Sequence, residues 1–378
     1  GGDDILIGGD GNDVIDGGSG TNRLYGDAGD DTITSSGNDV VDAGGGNNFL
    51  TINGIGTFTS GSGNDNYEIN SETSGYGDLN INSGDGDDNF NLNKVSTHIN
   101  QYIFTGGGND YFLSEVDNGD LNLYTEDGND TVQLNGSQGY EWSYVNLGNG
   151  DDHIVIEGVR SKAQVHGGEG ADIIDASALT GDDTHDDNLY LLGNNGDDNI
   201  LGGNGHDLIY GGNDNDSING GSGNNKIYGN AGDDFLEAGI GNDKLWGGIG
   251  NDVLKAGGGN DTLYGGGSTE NWAADEDNYP KGDDGSIDTA VFSGASTDYK
   301  LSRAIDTNYG YVYYIQDKRE GSPDGLDTLY DIDSLRFSNE DINIVSLYSN
   351  FRTFGIGPET ITGTEGDDLI DGYGGDDT

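Results

Sequence analysis

The chain has 378 residues, and 70 Asp and Glu against 14 Lys and Arg give it a formal net charge of −56. This charge excludes nucleic acid as a partner, and it disfavours direct binding to anionic membranes unless calcium bridges the two surfaces. Because only 31% of the residues are hydrophobic and 72 are Gly, we expect the metal-free chain to be disordered rather than an ordinary globular domain. There is no Cys and no apolar run of ~20 residues, so we expect neither disulfides nor membrane insertion.

Residues 1–53 form a first block of nine-residue units that read approximately Gly-Gly-x-Gly-x-Asp-x-aliphatic-x. The sixth positions lie nine residues apart except for one step of eight, and the aliphatic eighth position is kept from Leu6 to Leu50. Asn22 and Asn48 replace Asp at two of the sixth positions. Because Asn carries no charge, we expect weaker cation binding beside them.

Residues 54–192 keep only one such turn in each longer repeat. The Asp residues of these turns, from Asp65 to Asp172, are separated by 23, 22, 20, 22 and 20 residues. Two alternating segments, such as 89–92 and 120–124, lie between successive turns. This pattern predicts wider coils with Asp along one edge and plain loops along the other. We expect these coils to depend less on calcium, because longer strands bury more apolar surface.

Residues 193–267 return to the regular rhythm. Asp198 opens the block, and residues 202–264 divide into seven consecutive units. All seven eighth positions are Ile or Leu, and six of the seven sixth positions are Asp, Asn225 being the exception. A single unit would be weak evidence, but seven in register are specific for a repeat fold.

The rest of the chain divides into three segments. Residues 268–286 are polar and irregular and predict a loop, with Trp272 as an anchor. Residues 287–357 contain alternating strands without glycine-rich repeats, which predicts a β-rich module. Residues 358–378 resume the nonapeptide, and together with the absence of Met they indicate a longer protein.

Each unit predicts a turn followed by a short strand. Six Gly-rich residues suit a turn with left-handed backbone, and x-aliphatic-x makes a strand whose aliphatic side chain points inward. Two units close one coil, and coils stack ~4.8 Å apart as parallel sheets. The sequence therefore predicts an all-β fold, a right-handed parallel β-roll or β-helix solenoid with a small β-rich module.

Stacking places each sixth-position Asp near the Asp of the next coil. Two carboxylates ~5 Å apart repel by roughly 3 kcal/mol at an effective dielectric of ~20. Calcium relieves this repulsion because it accepts several oxygen ligands in irregular geometry, whereas magnesium demands a strict octahedron. The alternative is that Asp only shapes the turns, as we expect for the adjacent Asp87 and Asp151. The predicted ligands of multiple Ca²⁺ ions are Asp4, Asp13, Asp31, Asp39, Asp65, Asp88, Asp110, Asp130, Asp152, Asp172, Asp198, Asp207, Asp216, Asp234, Asp243, Asp252, Asp261, Asp368 and Asp377.

The tandem nonapeptide resembles the repeats-in-toxin (RTX) calcium-binding proteins of bacteria. This resemblance implies calcium held between stacked turns by Asp side chains and turn carbonyls, and secretion through a type I exporter. Residues 288–294, 324–329 and 335–338 resemble a module that often follows RTX blocks and caps or punctuates the roll. We therefore expect an extracellular protein, secreted or at the bacterial cell surface.

Catalytic signatures are weak, so we predict that the protein is not an enzyme. The five His residues show no His-Glu-x-x-His spacing, and no Ser has Gly at both −2 and +2. Outward aromatic residues, such as Tyr210 and Trp246, predict either a strip that contacts cell-surface polysaccharide or neighbouring subunits, or ordinary strand residues.

Two functions fit these observations. The leading hypothesis is an extracellular structural protein, a surface-layer, adhesin or matrix-filament subunit, that becomes rigid on binding Ca²⁺. The alternative is the non-catalytic, calcium-dependent folding and secretion segment of a type I-secreted protease, lipase or polysaccharide epimerase. A catalytic domain beyond these residues favours the alternative, whereas fibres or lattices in millimolar calcium favour the leading hypothesis.

Overall fold

The computed structural model describes residues 1–71, 76–95, 99–115, 120–139, 143–160, 162–179, 188–266, 285–306 and 310–344. The chain forms two compact units, Gly1–Tyr228 and Gly229–Thr378. Trp272, most of the predicted loop 268–286, and the predicted block 358–378 with Asp368 and Asp377 lie outside the described residues. The segment boundaries proposed from the sequence stay predictions.

In the first unit the strands alternate between two parallel sheets. One sheet contains β1 (Ile5–Asp10), β3 (Arg23–Ala28), β5 (Asn38–Asp42), β7 (Ile55–Thr59), β9 (Gly77–Asn82), β11 (Ile99–Phe104), β13 (Leu121–Tyr124), β15 (Ser143–Asn149), β17 (Lys162–Glu169), β19 (Asn188–Asn195) and β21 (Leu208–Asn213). The other contains β2 (Val14–Asp16), β4 (Thr32–Ser35), β6 (Phe49–Ile52), β8 (Asn66–Ser71), β10 (Asn89–Val95), β12 (Tyr111–Ser114), β14 (Thr131–Gly139), β16 (His153–Arg160), β18 (Ile173–Asp175), β20 (Asn199–Leu201) and β22 (Ser217–Asn219). The boundary between the units falls within β23 (Lys226–Ala231). Strands inside the stack pair with the strands two before and two after them, as β11 does with β9 and β13 and β14 does with β12 and β16, so the predicted parallel β-solenoid is confirmed.

The core of this unit consists of columns of eighth-position side chains, one residue from each coil. Alternation along each strand points these residues inward, and the parallel register stacks them directly on one another. Leu6 is half-buried, since β1 pairs only with β3 among the described strands. The column of the second sheet is Ile15, Ile33, Leu50, Tyr67, Phe90, Phe112, Val132, Ile154, Ile174, Ile200 and Ile218, all of them buried.

The second unit begins as a parallel solenoid and ends in antiparallel strands. Its strands are β24 (Phe235–Ile240), β25 (Lys244–Ile249), β26 (Val253–Gly258), β27 (Thr262–Gly266), β28 (Thr289–Val291), β29 (Tyr299–Asp306), β30 (Gly310–Asp317), β31 (Leu326–Tyr330), β32 (Ser334–Arg336) and β33 (Asp341–Asn343), with a 3₁₀ turn at Ser296–Asp298. β24, β26, β28 and β32 stack in parallel, as do β25, β27 and β31. Beyond them β30 and β33 pair antiparallel with β31 and β32, which ends the parallel stacking of both sheets.

Residues 322–330, in the predicted module without repeats, form one more nine-residue unit of the solenoid. They read Ser-Pro-Asp-Gly-Leu-Asp-Thr-Leu-Tyr, which keeps the nonapeptide residues at positions four, six and eight. β31 lies on β27 in register, Leu329 against Leu263. Gly325 has φ +71°, and a Cβ there would lie 1.6 Å from the Gly259 carbonyl oxygen, so this turn requires glycine.

An ion network joins the hairpin β29–β30 to the turn before β31. Arg319 donates from Nε to Asp317 Oδ1 at 2.9 Å, and its Nη2 lies 2.8 Å from Asp317 Oδ2 and 3.0 Å from Asp324 Oδ2. Burial alone would raise the pKa of Asp317, but the hydrogen bonds from Arg319 lower it to about 2. Here the protein's own guanidinium compensates buried carboxylates.

Candidate metal centres

The sixth-position side chains of the first unit form a ladder along the turns. The main-chain NH of Asp65 donates to Oδ1 of Asp88 at 2.7 Å across 23 residues, and the NH of Asp88 donates to Oδ1 of Asp110 at 2.8 Å across 22 residues. The long spacings in the sequence are therefore the lengths of single coils. This edge ladder runs through Asp13, Asp31, Asn48, Asp65, Asp88, Asp110, Asp130, Asp152, Asp172, Asp198 and Asp216.

Shorter ladders of the same kind bring together the other predicted ligands. In the first unit the NH of Asp207 donates to Oδ1 of Asn225 at 3.0 Å. In the second unit Asp234 bonds in this way to Asp252 at 2.9 Å, and Asp243 to Asp261 at 2.7 Å. Asp4 and Asn22 make the same contact at 3.0 Å, but Asp4 is exposed.

One carboxylate oxygen of many of these residues has no hydrogen-bond donor. A buried oxygen in this position is costly unless a cation or a proton compensates it. The oxygen without a donor is Oδ2. It is buried and accepts no hydrogen bond in Asp13, Asp31, Asp65, Asp88, Asp110, Asp130, Asp152, Asp172, Asp198 and Asp261.

At some coils Oδ2 faces a main-chain carbonyl across a glycine. A Cβ on Gly193, the first residue of its unit, would lie 2.0 Å from Asp198 Oδ2 and 2.6 Å from the carbonyl oxygen of Gly211, one coil on. Only glycine fits there, so oxygens from two coils converge beside a position without a side chain. We call this arrangement a glycine cradle. It recurs at Gly26, Gly167, Gly202, Gly229, Gly247 and Gly265.

The donor set of a glycine cradle fits calcium. Calcium binds carboxylate and carbonyl oxygens together and tolerates irregular geometry. Nowhere in the described ranges do three His, Asp or Glu side chains meet as a metal cluster. A bound ion at the cradle of Gly193 would meet a carboxylate oxygen of Asp198 and the carbonyl oxygen of Gly211, the two kinds of ligand that the RTX resemblance implies.

Asp39 is the predicted ligand that fits a cation least. Asn22 Nδ2 donates to its Oδ1 at 3.0 Å, and the Ser35 hydroxyl donates to its Oδ2 at 2.6 Å. Both oxygens are thus satisfied by protein donors, because an amide and a hydroxyl stand beside this carboxylate. The weaker site expected beside Asn22 stays a prediction.

Burial raises the pKa of several ladder carboxyls in the middle of the first unit. The pKa of Asp172 rises to about 6, that of Asp198 to about 7 and that of Asp152 to about 8. Hydrogen bonds from the preceding coil oppose this shift, whereas neighbouring carboxylates add to it. Protons and cations therefore compete for these oxygens near neutral pH.

A second ladder, which the sequence did not reveal, lies on the surface of the same turns. The fifth-position Asp87 donates its main-chain NH to Asn64 Oδ1 at 3.1 Å, and its own Oδ1 accepts the NH of Asn109 at 2.9 Å. These bonds point to the preceding coil, whereas the sixth-position bonds point to the following one. The Asp residues expected to be solvated thus also join neighbouring coils. The repeated Asn and Asp at position five of the units are the sequence signal from which this second ladder could have been predicted.

Two further ladder residues in the second unit were missed by the sequence reasoning. The NH of Asp252 donates to Oδ1 of Asp288 at 3.0 Å, and the NH of Asp261 donates to Oδ1 of Asp327 at 2.9 Å. Both acceptors are buried, and burial raises the pKa of Asp327 to about 9. The tetrapeptide Asp-Thr-Leu-Tyr, shared by 261–264 and 327–330, was the signal for the second of them.

The aromatic residues predicted to point outward stack on one another within each unit, but Trp246 and Tyr228 are buried rather than exposed, so for them the predicted outward position is wrong. In the first unit the Tyr210 and Tyr228 rings lie 4.7 Å apart at 9°. In the second unit the Tyr264 ring lies 5.3 Å from Trp246 at 3° and 4.6 Å from Tyr330 at 8°. Neighbouring rings thus cover many of the faces on which a sugar would stack. Binding of polysaccharide or of neighbouring subunits stays a prediction.

Comparison with known proteins matches this chain to a family and to a solved structure. The family model of the RTX calcium-binding nonapeptide repeat (4 copies) matches residues 1–33, 34–51, 192–227, 210–245, 220–254, 238–269 and 355–378. A hyperactive, calcium-dependent, β-helical antifreeze protein from an Antarctic bacterium is similar at 17% sequence identity and a TM-score of 0.45, covering 90% of this chain and 94% of that one. No curated protein matches. No helix in the described part of the chain is long and apolar enough to cross a membrane.

Proposed function

Because the chain is an RTX-repeat protein, we propose that it is an extracellular structural protein whose solenoid is held together by calcium at its glycine cradles. The observation that carries this proposal is the buried Oδ2 of Asp172 and Asp198, which accepts no hydrogen bond and lies near a carbonyl of the next coil. Bound calcium supplies the positive charge that these oxygens lack. Extracellular calcium modules typically bind at ~10⁻⁴–10⁻³ M, so folding would follow export into calcium-rich surroundings.

The protein's own groups orient each ligand. The NH of the preceding coil holds Oδ1, as Asp172 does for Asp198 at 2.7 Å, so that Oδ2 is left for the ion. The first-position glycine keeps the space beside Oδ2 free of side chains. By repeat position and geometry, the proposed ligands are Asp13, Asp31, Asp172, Asp198, Asp207, Asp216, Asp234 and Asp252, each of which has Gly five residues before it. Ala238 and Ala256 stand in that place before Asp243 and Asp261, so these two residues have no glycine cradle.

A structural role is supported by the large share of the described residues that forms the solenoid. The described residues of each unit are mostly coils or their closing strands. His166 lies on a strand beside Gln164 and Tyr144, and burial lowers its pKa, which does not suit an acid catalyst. We therefore propose a non-enzymatic surface-layer, adhesin or matrix role, with the export segment of a secreted enzyme as the alternative.

Calcium titration of Asp198→Asn tests the proposal, and Asp197→Asn is the matched control. Asp198 is buried, whereas Asp197 lies at the surface of the same turn. Both changes remove one charge, but only the first weakens a cradle. Followed by circular dichroism, Asp198→Asn should raise the calcium midpoint at least about threefold, and Asp197→Asn should change it less than about twofold. A wild-type spectrum that is unchanged by chelator would contradict the proposal.

A further inference from the structure

Five consecutive coils of the first unit have no glycine cradle. Their first positions, five residues before the ladder Asp, are Ser60, Ser83, Thr105, Thr125 and Leu147. All five side chains are buried. Because the space beside Asp Oδ2 is filled there, these coils do not offer the donor arrangement of the glycine coils. The ladder residues concerned are Asp65, Asp88, Asp110, Asp130 and Asp152.

The four hydroxyls form a continuous ladder of their own. Ser60 Oγ donates to the carbonyl oxygen of Ser83 at 2.9 Å, and Ser83 Oγ donates to that of Thr105 at 2.5 Å. Thr105 Oγ1 donates to the Thr125 carbonyl at 3.1 Å, and Thr125 Oγ1 donates to the Leu147 carbonyl. Each bond joins the first position of one coil to the first position of the next. We call this series the hydroxyl ladder.

The hydroxyl ladder satisfies the group that a cation would satisfy in a glycine coil. At Gly193 the carbonyl of the next coil converges with a carboxylate oxygen, and both are acceptors. At Ser83 the single hydroxyl proton is donated to the equivalent carbonyl. The two coils are thus joined by a hydrogen bond that needs no metal.

The core of these coils is also larger than that of the glycine coils. The Tyr67 ring stacks on Phe90 at 4.6 Å, and the rings of Phe90 and Phe112 lie 6.0 Å apart. The Tyr67 hydroxyl donates to Ser60 Oγ at 2.6 Å, which ties this aromatic core to the hydroxyl ladder. β10 has 7 residues and β14 has 9, whereas β18, β20 and β22 have 3 each, so more backbone is paired here.

We propose that the coils from Ser60 to Leu147 stay folded without calcium, the hydroxyl ladder and the aromatic core taking the place of the ion. The inference rests on the proposed function, because it contrasts these coils with calcium-dependent glycine coils. We therefore expect removal of calcium to unfold only part of the first unit. The central segment keeps its strands, whereas the glycine coils lose theirs.

Hydrogen exchange of the full chain, with calcium and with chelator, tests this contrast. Peptides from 89–95, 99–104, 111–114 and 121–124 should lose less than about tenfold in protection on chelation. Peptides from 199–201, 208–213 and 217–219 should lose more than about a hundredfold. Equal loss in both sets would overturn the inference and leave calcium-dependent folding intact. No loss in either set would instead overturn the proposed function.

Thr105→Val tests the hydroxyl itself, because valine keeps the shape and removes the donor. In chelator it should lower the protection of 99–104 and 121–124 at least about tenfold, and Thr105→Ser should restore most of it. Thr131→Val is the control, since Thr131 is an outward residue of β14 that pairs with Tyr111 and His153. Equal effects of Thr105→Val and Thr131→Val would rule out the hydroxyl ladder. If Thr105→Val does not fold even in calcium, the inference is tested by hydrogen exchange of the wild-type chain with and without chelator and by the Thr105→Ser variant.

Discussion

At the scale of the residue, the environment of an Asp at one repeat position depends on the residue five places before it. In front of Asp198 stands Gly193, and the buried carboxylate oxygen faces a carbonyl. In front of Asp88 stands Ser83, whose hydroxyl bridges to the next coil. In front of Asp39, whose unit is one residue shorter, Ser35 stands four places before it and bonds the carboxylate directly. The Asp alone therefore does not define the site, and the first position of the unit must be read with it.

The pH dependence of the calcium-free protein follows from the buried carboxyls of the hydroxyl coils. Burial raises the pKa of Asp88 and Asp130 from 3.8 to about 7 and that of Asp152 to about 8. A pKa that is higher in the folded chain means that folding binds protons. The resulting stability is complete below the unfolded pKa near 3.8 and is lost as the pH rises through about 7 to 8.

We therefore expect the urea midpoint of the chelated protein, measured on the 89–124 peptides by hydrogen exchange, to be higher near about pH 5 than near about pH 9. Asp88→Asn removes one such carboxyl and should reduce the slope. The exposed Asp87→Asn serves as the matched control and should leave it nearly unchanged. A midpoint that rises with pH in chelator would show that these carboxyls are ionised in the folded chain.

At the scale of the element, the coil tolerates changes in length because only its strands and one turn are held in register. Consecutive ladder residues are separated by 17 residues at Asp31 and Asn48, but by 26 at Asp172 and Asp198. The difference is taken up between the strands, while the inward columns stay stacked. This explains why the aliphatic register survives both the shortened unit and the longer coils.

Removing one ring from the aromatic core should be far more destabilising than removing its outward neighbour. Phe112 is fully buried, whereas Tyr111, the preceding residue of β12, is 37% exposed. Phe112→Ala leaves a cavity and should cost about 3–5 kcal/mol in unfolding free energy, whereas Tyr111→Ala should cost about 1 kcal/mol or less. Urea unfolding in millimolar calcium measures both. Similar losses for the two variants would contradict the assigned inward register.

At the scale of the whole molecule, the formal charge of −56 and the glycine content oppose compaction, and stacking brings carboxylates still closer together. Within its units the folded chain compensates its carboxylates in three ways. Main-chain NH groups donate to the Oδ1 atoms, and hydroxyl and amide groups donate hydrogen bonds in some coils. At the antiparallel end of the second unit Arg319 forms ion pairs with the carboxylates. The glycine cradles are the positions for which we propose calcium.

Assembly in calcium distinguishes the structural role from the export-segment role. A surface-layer or filament subunit should form ordered fibres or lattices in millimolar calcium, visible by electron microscopy, and stay dispersed in equal magnesium, because magnesium suits irregular oxygen ligands poorly. A chain that folds in calcium by circular dichroism but stays monomeric by light scattering would contradict the assembly role and favour the alternative.

The sequence by itself determined the parallel solenoid, the inward columns and the file of sixth-position Asp residues, because a nine-residue period couples each turn to one inward side chain. It also showed that the central coils are longer, since the same turn recurs there at wider spacing.

Only the tertiary structure decided what each Asp meets, because its partners in neighbouring coils lie 17 to 66 residues away in the chain. The hydroxyl ladder, the glycine cradles and the extra unit at 322–330 arise from contacts between coils, and a local pattern does not encode which carbonyl or hydroxyl will stand opposite a given carboxylate. The repeat specifies the position of the carboxylate, and the stacking of coils specifies its chemistry.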